Sequence, residues 1–472
     1  MSASIYRNAI VASSPLWLLF ACSAALPESP KRSARPNPER DARPNIVFVL
    51  VDDLGSADVG YRGSKIQTPN IDRLAREGVR LEQFYGAAVC TPSRAALMTG
   101  RHPMRLGLQD EVLHPWTRYG LPLDERTLAQ ALRDAGYRTR MAGKWHLGSF
   151  EPAYRPEQRG FEHHYGSYTG VSDYITHRRA GGLDWQRDGK EIEEEGHTTN
   201  LVADEAVKVL ADVKRDEPLF LYVAFNAPHA PHKPPPECAD LYADMQPPAR
   251  AAYARQVTCL DRALGRILDA LDANHLAENT LVVFASDNGG NGKHGDNRPL
   301  RGKKGTLYEG GVRVVALARW TGTLKPGAVS EPLAMIDWLP TLVKLGGGTL
   351  DGGKPLDGRD AWPTIALGKP SPHAELLIGL EPERAAIRKG RWKLVVDAQW
   401  PKSEMDATTV RSAELYDLAA DPSESKNVAR EHEAVVKELL AKLVALSREA
   451  LPPLGGLKDE RPANYTLGDE EE

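Results

Sequence analysis

Asp52-Asp53 stand directly after an apolar run, Asn45–Val51, and Asp287-Asn288 stand just past a second one, Leu281–Ala285. Three carboxylates and an amide oxygen are hard ligands, suited to Ca2+ or Mg2+ and not to zinc. In an open parallel sheet, ligands sit beyond the carboxyl ends of the strands, so two such ends can bring these four groups together. Either pair alone also reads as an ordinary helix cap or turn. Cys90-Thr91-Pro92-Ser93-Arg94 opens a helical stretch, Ala95–Thr99, closed by Gly100. Cys90 thereby lies near a helix N-terminus, where free amides and the helix dipole favour an anion, and Arg94 adds a full charge. By residue type alone, Cys90 is either a small buried side chain or a nucleophilic thiolate.

The elements that must position these groups are visible in the hydrophobic pattern. Asn45–Val51 is continuous, apolar and rich in β-branched residues, the mark of a strand buried on both faces in a parallel sheet. Similar runs recur at Leu219–Phe225 and Leu281–Ala285, with helical patterns between them. Thr68-Pro69 opens one helix with a hydroxyl cap and a first-turn proline; Ile71, Leu74 and Ala75 share a face and Gly78 marks the stop. Leu201–Leu210 and Ala251–Leu271 also fit helices. Lys144 and His146 are two apart, so on an extended segment both face the same side. Strands alternating with helices predict an α/β fold with a large, mostly parallel sheet. Further on, Ala385–Val396 and Glu414–Leu418 read as short strands and Glu431–Arg448 as an amphipathic helix. A main domain over 44–370, a small α+β subdomain over 371–455 and a polar tail over 456–472 are expected.

The 472 residues suffice for such a pair of units. Lys and Arg total 60 against 64 Asp and Glu, a net charge of −4, which leaves no basic field for nucleic acid. At the N-terminus Arg7 precedes an apolar run, Ala9–Ala21, interrupted by Ser13, Ser14 and Pro15. It is too short and broken for a membrane span and reads as an export signal over 1–22. Leu19-Phe20-Ala21-Cys22 resembles a bacterial lipobox, so Cys22 is a candidate lipid anchor; an incidental cysteine in a cleaved signal is the other reading. Residues 23–43 read as a flexible tether. The expected location is the periplasm or the outer membrane, or outside the cell. The other cysteines, Cys90, Cys238 and Cys259, are too few for a disulfide scaffold. Cys238 and Cys259 either pair in an oxidising compartment or stay as buried thiols.

Cys90-Thr91-Pro92-Ser93-Arg94 resembles the signature of the type I, formylglycine-dependent sulfatase family, and Leu97-Met98-Thr99-Gly100-Arg101 resembles its continuation. Gly143-Lys144-Trp145-His146-Leu147-Gly148, Asp287-Asn288-Gly289-Gly290, Arg301-Gly302-Lys303-Lys304 with Glu309-Gly310-Gly311, Ile336–Leu342 and Leu415–Leu418 are similar to later family segments, in the family's order. The resemblance implies an alkaline-phosphatase-like fold, with a large mixed sheet between helices and a smaller C-terminal sheet. It implies Asp52, Asp53, Asp287 and Asn288 as ligands of Ca2+, with Mg2+ the alternative. Cys90, oxidised to formylglycine and touching the metal, would be the nucleophile. Arg94, Lys144, His146, His229 and Lys304 would complete the site. The oxidation implies a maturing partner, either a formylglycine-generating enzyme or an anaerobic sulfatase-maturating enzyme.

The chemistry so implied starts from an anionic ester whose charge Ca2+, Arg94, Lys144 and Lys304 would neutralise. A gem-diol hydroxyl on residue 90, activated by the metal and Asp287, would attack sulfur. His229, with Lys304, would protonate the departing alcohol. His146 would then collapse the sulfated hemiacetal to aldehyde and sulfate. Within the family the chain resembles the arylsulfatase B (N-acetylgalactosamine-4-sulfatase) group at Arg159-Gly160-Phe161, Ser172-Asp173-Tyr174, His177, Asn297–Gly302 and Lys354–Gly358. That implies a sulfated carbohydrate substrate, with 4-sulfated N-acetylgalactosamine leading and His163, His177 and Lys293 as candidate rim residues. Two rivals remain at this stage. A phosphate or phosphonate monoester hydrolase of the same superfold is disfavoured by the oxygen ligands and the full cysteine signature. A non-catalytic sulfated-glycan-binding protein is disfavoured because every core residue is present.

Overall fold

A computed structural model describes residues 43–110, 112–214, 216–398 and 409–454. The expected export signal, Cys22, the tether but for its last residue and the tail at 456–472 lie outside the described residues. Asn45–Val51 forms a strand at the bounds its pattern predicts, and all seven residues are buried. Successive side chains alternate between faces. Ile46, Phe48 and Leu50 join one hydrophobic core, while Val47, Val49 and Val51 join another. Two cores on one strand explain why every residue from Ile46 to Val51 is apolar; Asn45, at its start, accepts from Leu219 N at 2.9 Å.

This strand lies in the middle of a ten-stranded sheet. It pairs in parallel with Leu219–Ala224 on one side and Thr280–Ser286 on the other. Arg138–Gly143 and then His163–Gly166 extend the parallel block past Leu219–Ala224. Beyond Thr280–Ser286 the sheet turns antiparallel at Ala316–Arg319 and Val79–Leu81. The helices Cys90–Thr99, Leu128–Asp134 and Trp338–Leu345 pack on the first core, and Pro69–Glu77, Thr198–Ala211 and Pro248–Ala273 on the second.

One helix start differs from expectation. Thr68 does not cap Pro69–Glu77. Its hydroxyl donates to Asp72 Oδ1 at 3.0 Å and accepts from Gly60 N at 2.7 Å. The free amides of Asn70 and Ile71 instead donate to buried Asp261 on Pro248–Ala273. A tertiary carboxylate supplies the cap that the local hydroxyl was expected to supply. Cys238 and Cys259 form a disulfide, which settles the alternative the sequence left open.

Leu376–Leu380, Arg384–Lys389, Trp392–Ala398 and Val410–Asp417 form a separate antiparallel sheet, covered by the helix Glu433–Ser447. It joins the main body through buried polar contacts. Arg388 Nη1 donates to Tyr85 OH at 2.6 Å, and Lys393 Nζ lies 2.9 Å from both Glu309 Oε1 and Glu424 Oε1. Among the described residues, no helix is long and apolar enough to cross a membrane.

Candidate active site

The central strand delivers Asp52 and Asp53 past its carboxyl end. Thr280–Ser286 runs beside it in register, Val51 opposite Ser286, and so delivers Asp287 and Asn288 to the same place. Asp287 N donates to Val51 O at 3.0 Å, which ties the two strand ends. Asp53 takes a left-handed turn, φ 65°, braced by Tyr253, whose hydroxyl donates to Asp53 O at 3.1 Å and accepts from Gly55 N at 3.0 Å. Asn288 Nδ2 donates to Asp53 Oδ1 at 2.7 Å.

The helix that carries the cysteine begins at Cys90 itself, not at Ala95, and is buried throughout. Cys90 Sγ lies 3.3 Å from Asp52 Oδ1. One turn on, Arg94 Nη2 reaches Asp52 Oδ2 at 3.1 Å and Asp287 Oδ2 at 2.9 Å, and Nη1 donates to Lys144 O at 3.0 Å. Ser93 Oγ donates to Asp287 O at 2.5 Å, and Thr91 Oγ1 donates to His146 O at 3.3 Å. One helix thus holds three segments of the site together.

Lys144 follows the strand Arg138–Gly143, and its Nζ contacts Asp52 Oδ2 with both side chains fully buried. The expectation that Lys144 and His146 sit on one face of an extended segment is corrected: His146 has φ 58°. The chain turns there, and the turn puts the imidazole into the cavity that Cys90 lines. His146 Nε2–H donates to Leu113 O at 3.1 Å, while its buried Nδ1 has no hydrogen-bond partner. Gly170 makes room for this ring: a Cβ there would lie 2.3 Å from His146 Nε2. His229 Nδ1–H donates to Ala230 O at 2.6 Å, leaving Nε2 to face Asp53 Oδ2 at 3.8 Å. Tyr174 OH braces the same turn by donating to His229 O at 2.9 Å. Lys304 Nζ bridges the Asp53 carboxylate at 2.8 and 2.9 Å.

All ten residues singled out in the sequence therefore converge. Asp53, Cys90, His146, His229 and Lys304 line a cavity of about 400 Å³; Asp52, Arg94, Lys144, Asp287 and Asn288 are wholly buried. Donor atoms of Asp52, Asp53, Cys90 and His229 lie within 4.8 Å of one another, a group able to hold a metal ion. Asp287 and Asn288 adjoin that group, and His229 is nearer to it than the sequence implied. A hard cation fits. Asn288 Oδ1 is buried with no hydrogen-bond partner, an acceptor that a cation would satisfy. Burial and then the Asp52 charge push the Asp287 carboxyl up to about 6. Burial works the same way on Asp52, but Lys144, His229, Arg94 and Lys304 outweigh it and hold that carboxyl well below the usual range.

Position 90 is not built for a thiolate. Burial and then Asp52 push the Cys90 thiol up. Burial, with Lys144 and Arg94, holds His146 well below its ordinary value, and burial with Lys304 brings His229 down to about 4. Lys304 moves up despite burial, because Asp53 faces it. Both imidazoles are neutral near pH 7, while Lys304 and Arg94 stay charged.

None of the candidate rim residues lines the cavity. His163 is held between Asp188 at 2.8 Å and Glu205 at 2.9 Å. His177 stacks on Trp185 and donates to Gly196 O at 2.9 Å. Lys293 is exposed. The wall is made instead by Val112, Leu113, His114, Pro115, Val171 and Arg179. All but Arg179, which ends the two-residue strand Arg178–Arg179, come from loops, and neither period nor motif marks any of them in the sequence.

Cations, carboxylates and neutral imidazoles gathered beyond parallel strand ends define a hydrolase site for an anionic ester. The chain belongs to the sulfatase family: residues 44–348 match the family model described as Sulfatase. It is 34% identical to arylsulfatase J of Mus musculus over 468 residues, covering 89% of this chain and 78% of that one. To the N-acetylgalactosamine-6-sulfatase of Homo sapiens it is 35% identical over 356 residues, 69% of this chain and 66% of that one. The structure of Ps i-CgsB in complex with k-i-k-neocarrahexaose matches with a TM-score of 0.79 and 32% identity, covering 87% of this chain and 94% of that one. The fold is the alkaline-phosphatase-like sulfatase fold, and the protein is a sulfatase, a hydrolase of sulfate esters.

Proposed function

We propose that the enzyme removes sulfate from a glycan, using residue 90 as formylglycine beside a bound Ca2+, with Mg2+ the alternative ion. The observation that carries this reading is Cys90 set against buried Asp52, which Arg94 and Lys144 also hold, at a cavity lined by His146, His229 and Lys304. Asp52, Asp53, Asp287 and Asn288 would hold the cation, which when bound neutralises sulfate oxygens. The aldehyde, once hydrated, supplies an attacking hydroxyl and lets sulfate leave by elimination.

The remaining steps belong to side chains. Lys304, which lines the cavity, meets the ester's negative charge, and buried Lys144 and Arg94, tied to Asp52, add their field from behind. His229 is neutral in the empty cavity; the arriving anion favours its protonated form, which then hands a proton from Nε2 to the leaving alcohol. His146 keeps an unpartnered Nδ1, positioned to take the proton whose loss expels sulfate.

Cys90 is 1% exposed, so the maturing enzyme, of the formylglycine-generating or the anaerobic type, would meet it before the chain folds. Export is part of the reading and is supported by the Cys238–Cys259 disulfide, since such bonds persist in oxidising compartments. A 4-sulfated N-acetylgalactosamine unit is the leading substrate, on the arylsulfatase B likeness around Ser172-Asp173-Tyr174 and Asn297–Gly302. A related human enzyme is an N-acetylgalactosamine-6-sulfatase and a related structure holds a neocarrahexaose, which supports galacto-configured sugars as the class. Mass analysis of the Cys90 peptide, together with sulfate release from 4- and 6-sulfated N-acetylgalactosamine and sulfated galactose oligosaccharides, tests the proposal. An intact thiol in active enzyme would overturn the nucleophile; no release from any galacto-configured sugar would overturn the substrate.

A further inference from the structure

Most of the cavity has no part in the chemistry just described. Away from Asp53, Cys90, His146, His229 and Lys304, its wall is largely apolar: Val89, Val112, Leu113, Pro115, Val171 and Ala230. A sulfate group needs only the charged end. The rest suits an organic body with an apolar face of its own.

One ring stands in that wall with its plane fixed. His114 lines the cavity and stacks on Trp116, with centroids 4.6 Å apart and planes 4° from parallel. The loop that carries both is closed on itself: His114 N donates to Thr117 Oγ1 at 3.0 Å, and Thr117 N donates to His114 O at 3.0 Å. It is also anchored to the reacting groups. Leu113 N donates to Thr91 Oγ1 at 3.1 Å, beside Cys90, and Leu113 O accepts from His146 Nε2 at 3.1 Å. The imidazole plane is therefore set at a defined place relative to residue 90 before any ligand arrives.

We propose that His114, held flat by Trp116, is the surface against which the pyranose ring of the substrate stacks, and so a specificity-determining residue; this rests on the sulfated-glycan reading. The indole covers one face of His114, and the imidazole so held lines the cavity. A galacto-configured pyranose carries contiguous C–H bonds on one side of the ring, because its axial hydroxyl lies on the other. That side packs on a flat ring, and the sulfate then turns toward the charged end. A gluco-configured ring has alternating C–H bonds and no such continuous face. Preorganised ring contacts of this kind act mainly on binding and little on the chemical step.

The test uses the full-length mature enzyme and steady-state kinetics on the sulfated galacto-configured sugar that the wild type cleaves best. His114→Ala is expected to raise KM about tenfold while kcat stays within about twofold. His114→Phe, which restores a flat ring, should return KM to near the wild-type value. Trp116→Ala should raise KM by a smaller factor, since it releases the ring without removing it. Formylglycine content and melting temperature of each variant check maturation and folding. An unmoved KM in His114→Ala, a fall in kcat instead of a rise in KM, or no recovery in His114→Phe would overturn the proposal while the sulfatase reading stands. Failure of the wild type to release sulfate from any sugar would overturn the glycan reading itself, and this inference with it.

Discussion

His146 can occupy its place only because residue 170 has no side chain. A methyl group on Gly170 would stand 2.3 Å from Nε2 and 2.5 Å from the adjacent ring carbon, so the imidazole must move. Gly170→Ala should lower kcat about 100-fold, with KM little changed, because a displacement on the order of 1 Å is enough to spoil proton transfer. Kinetics on a model aryl sulfate decide it; full turnover would remove His146 from the mechanism. At residue 90, Cys90→Ala should lose turnover by several orders of magnitude while the melting temperature stays close to wild type. Cys90→Ser should also fail to turn over, since a serine sulfate has no second hydroxyl through which to eliminate. Cys90, Arg94, Lys144, His146, Asp287, Asn288 and Lys304 were legible in the sequence because each lies in a motif with fixed spacing, Asp52 and Asp53 because they follow a buried strand, and His229 only through the family resemblance. Gly170, His114 and Arg179 were not, because loops and a two-residue strand bring them to the cavity and neither leaves a period to read.

Legibility at the scale of elements follows burial. Asn45–Val51 was readable to the residue because both its faces are covered and nothing polar follows Asn45 in it. Gln186–Arg187 and Gly327–Val329, at the sheet's margins, are too short to show alternation. The segment bearing Lys304 shows what motifs leave out. Gly310 N closes the loop by donating to Arg301 O at 2.6 Å, and the C-terminal sheet holds it from outside. Arg301 lies 3.9 Å over the Tyr308 ring and donates to Tyr416 OH at 2.5 Å, while buried Lys393 sits between Glu309 and Glu424. The small sheet thus fixes the loop that supplies Lys304 to Asp53. Lys393→Met takes the cation from buried Glu424 and leaves buried Glu309 to Arg313, 3.5 Å away. It should cost about 3–5 kcal/mol in chemical denaturation and reduce kcat along with stability. A loss below about 1 kcal/mol would show that the small sheet does not hold the loop through this lysine.

At the scale of the whole molecule, the carboxylates at the strand ends couple metal, pH and stability. Asp52, Asp53 and Asp287 crowd the end of a sheet on which both hydrophobic cores are built. Without a cation, burial and Asp52 raise the Asp287 carboxyl from 3.8 to about 6. A carboxyl with a raised folded-state value binds its proton more tightly when folded than when unfolded. Its contribution is then fully present below 3.8 and is lost as pH rises through about 6. The loss amounts to about 3 kcal/mol at most. The proposed calcium ion would require the ionised carboxylates and so offset that loss, and its binding to the folded state alone would add further stability by mass action. The melting temperatures with calcium and with a chelator should therefore differ little near about pH 5 and separate by a few degrees near about pH 7.5. Magnesium should close less of that gap than calcium, since it demands stricter octahedral geometry from a crowded carboxylate set. Thermal scans at the two pH values, with each ion and with chelator, measure it. A chelator that moves the melting temperature equally at both pH values would separate the metal from Asp287, and one that moves it at neither would remove the cation from this site.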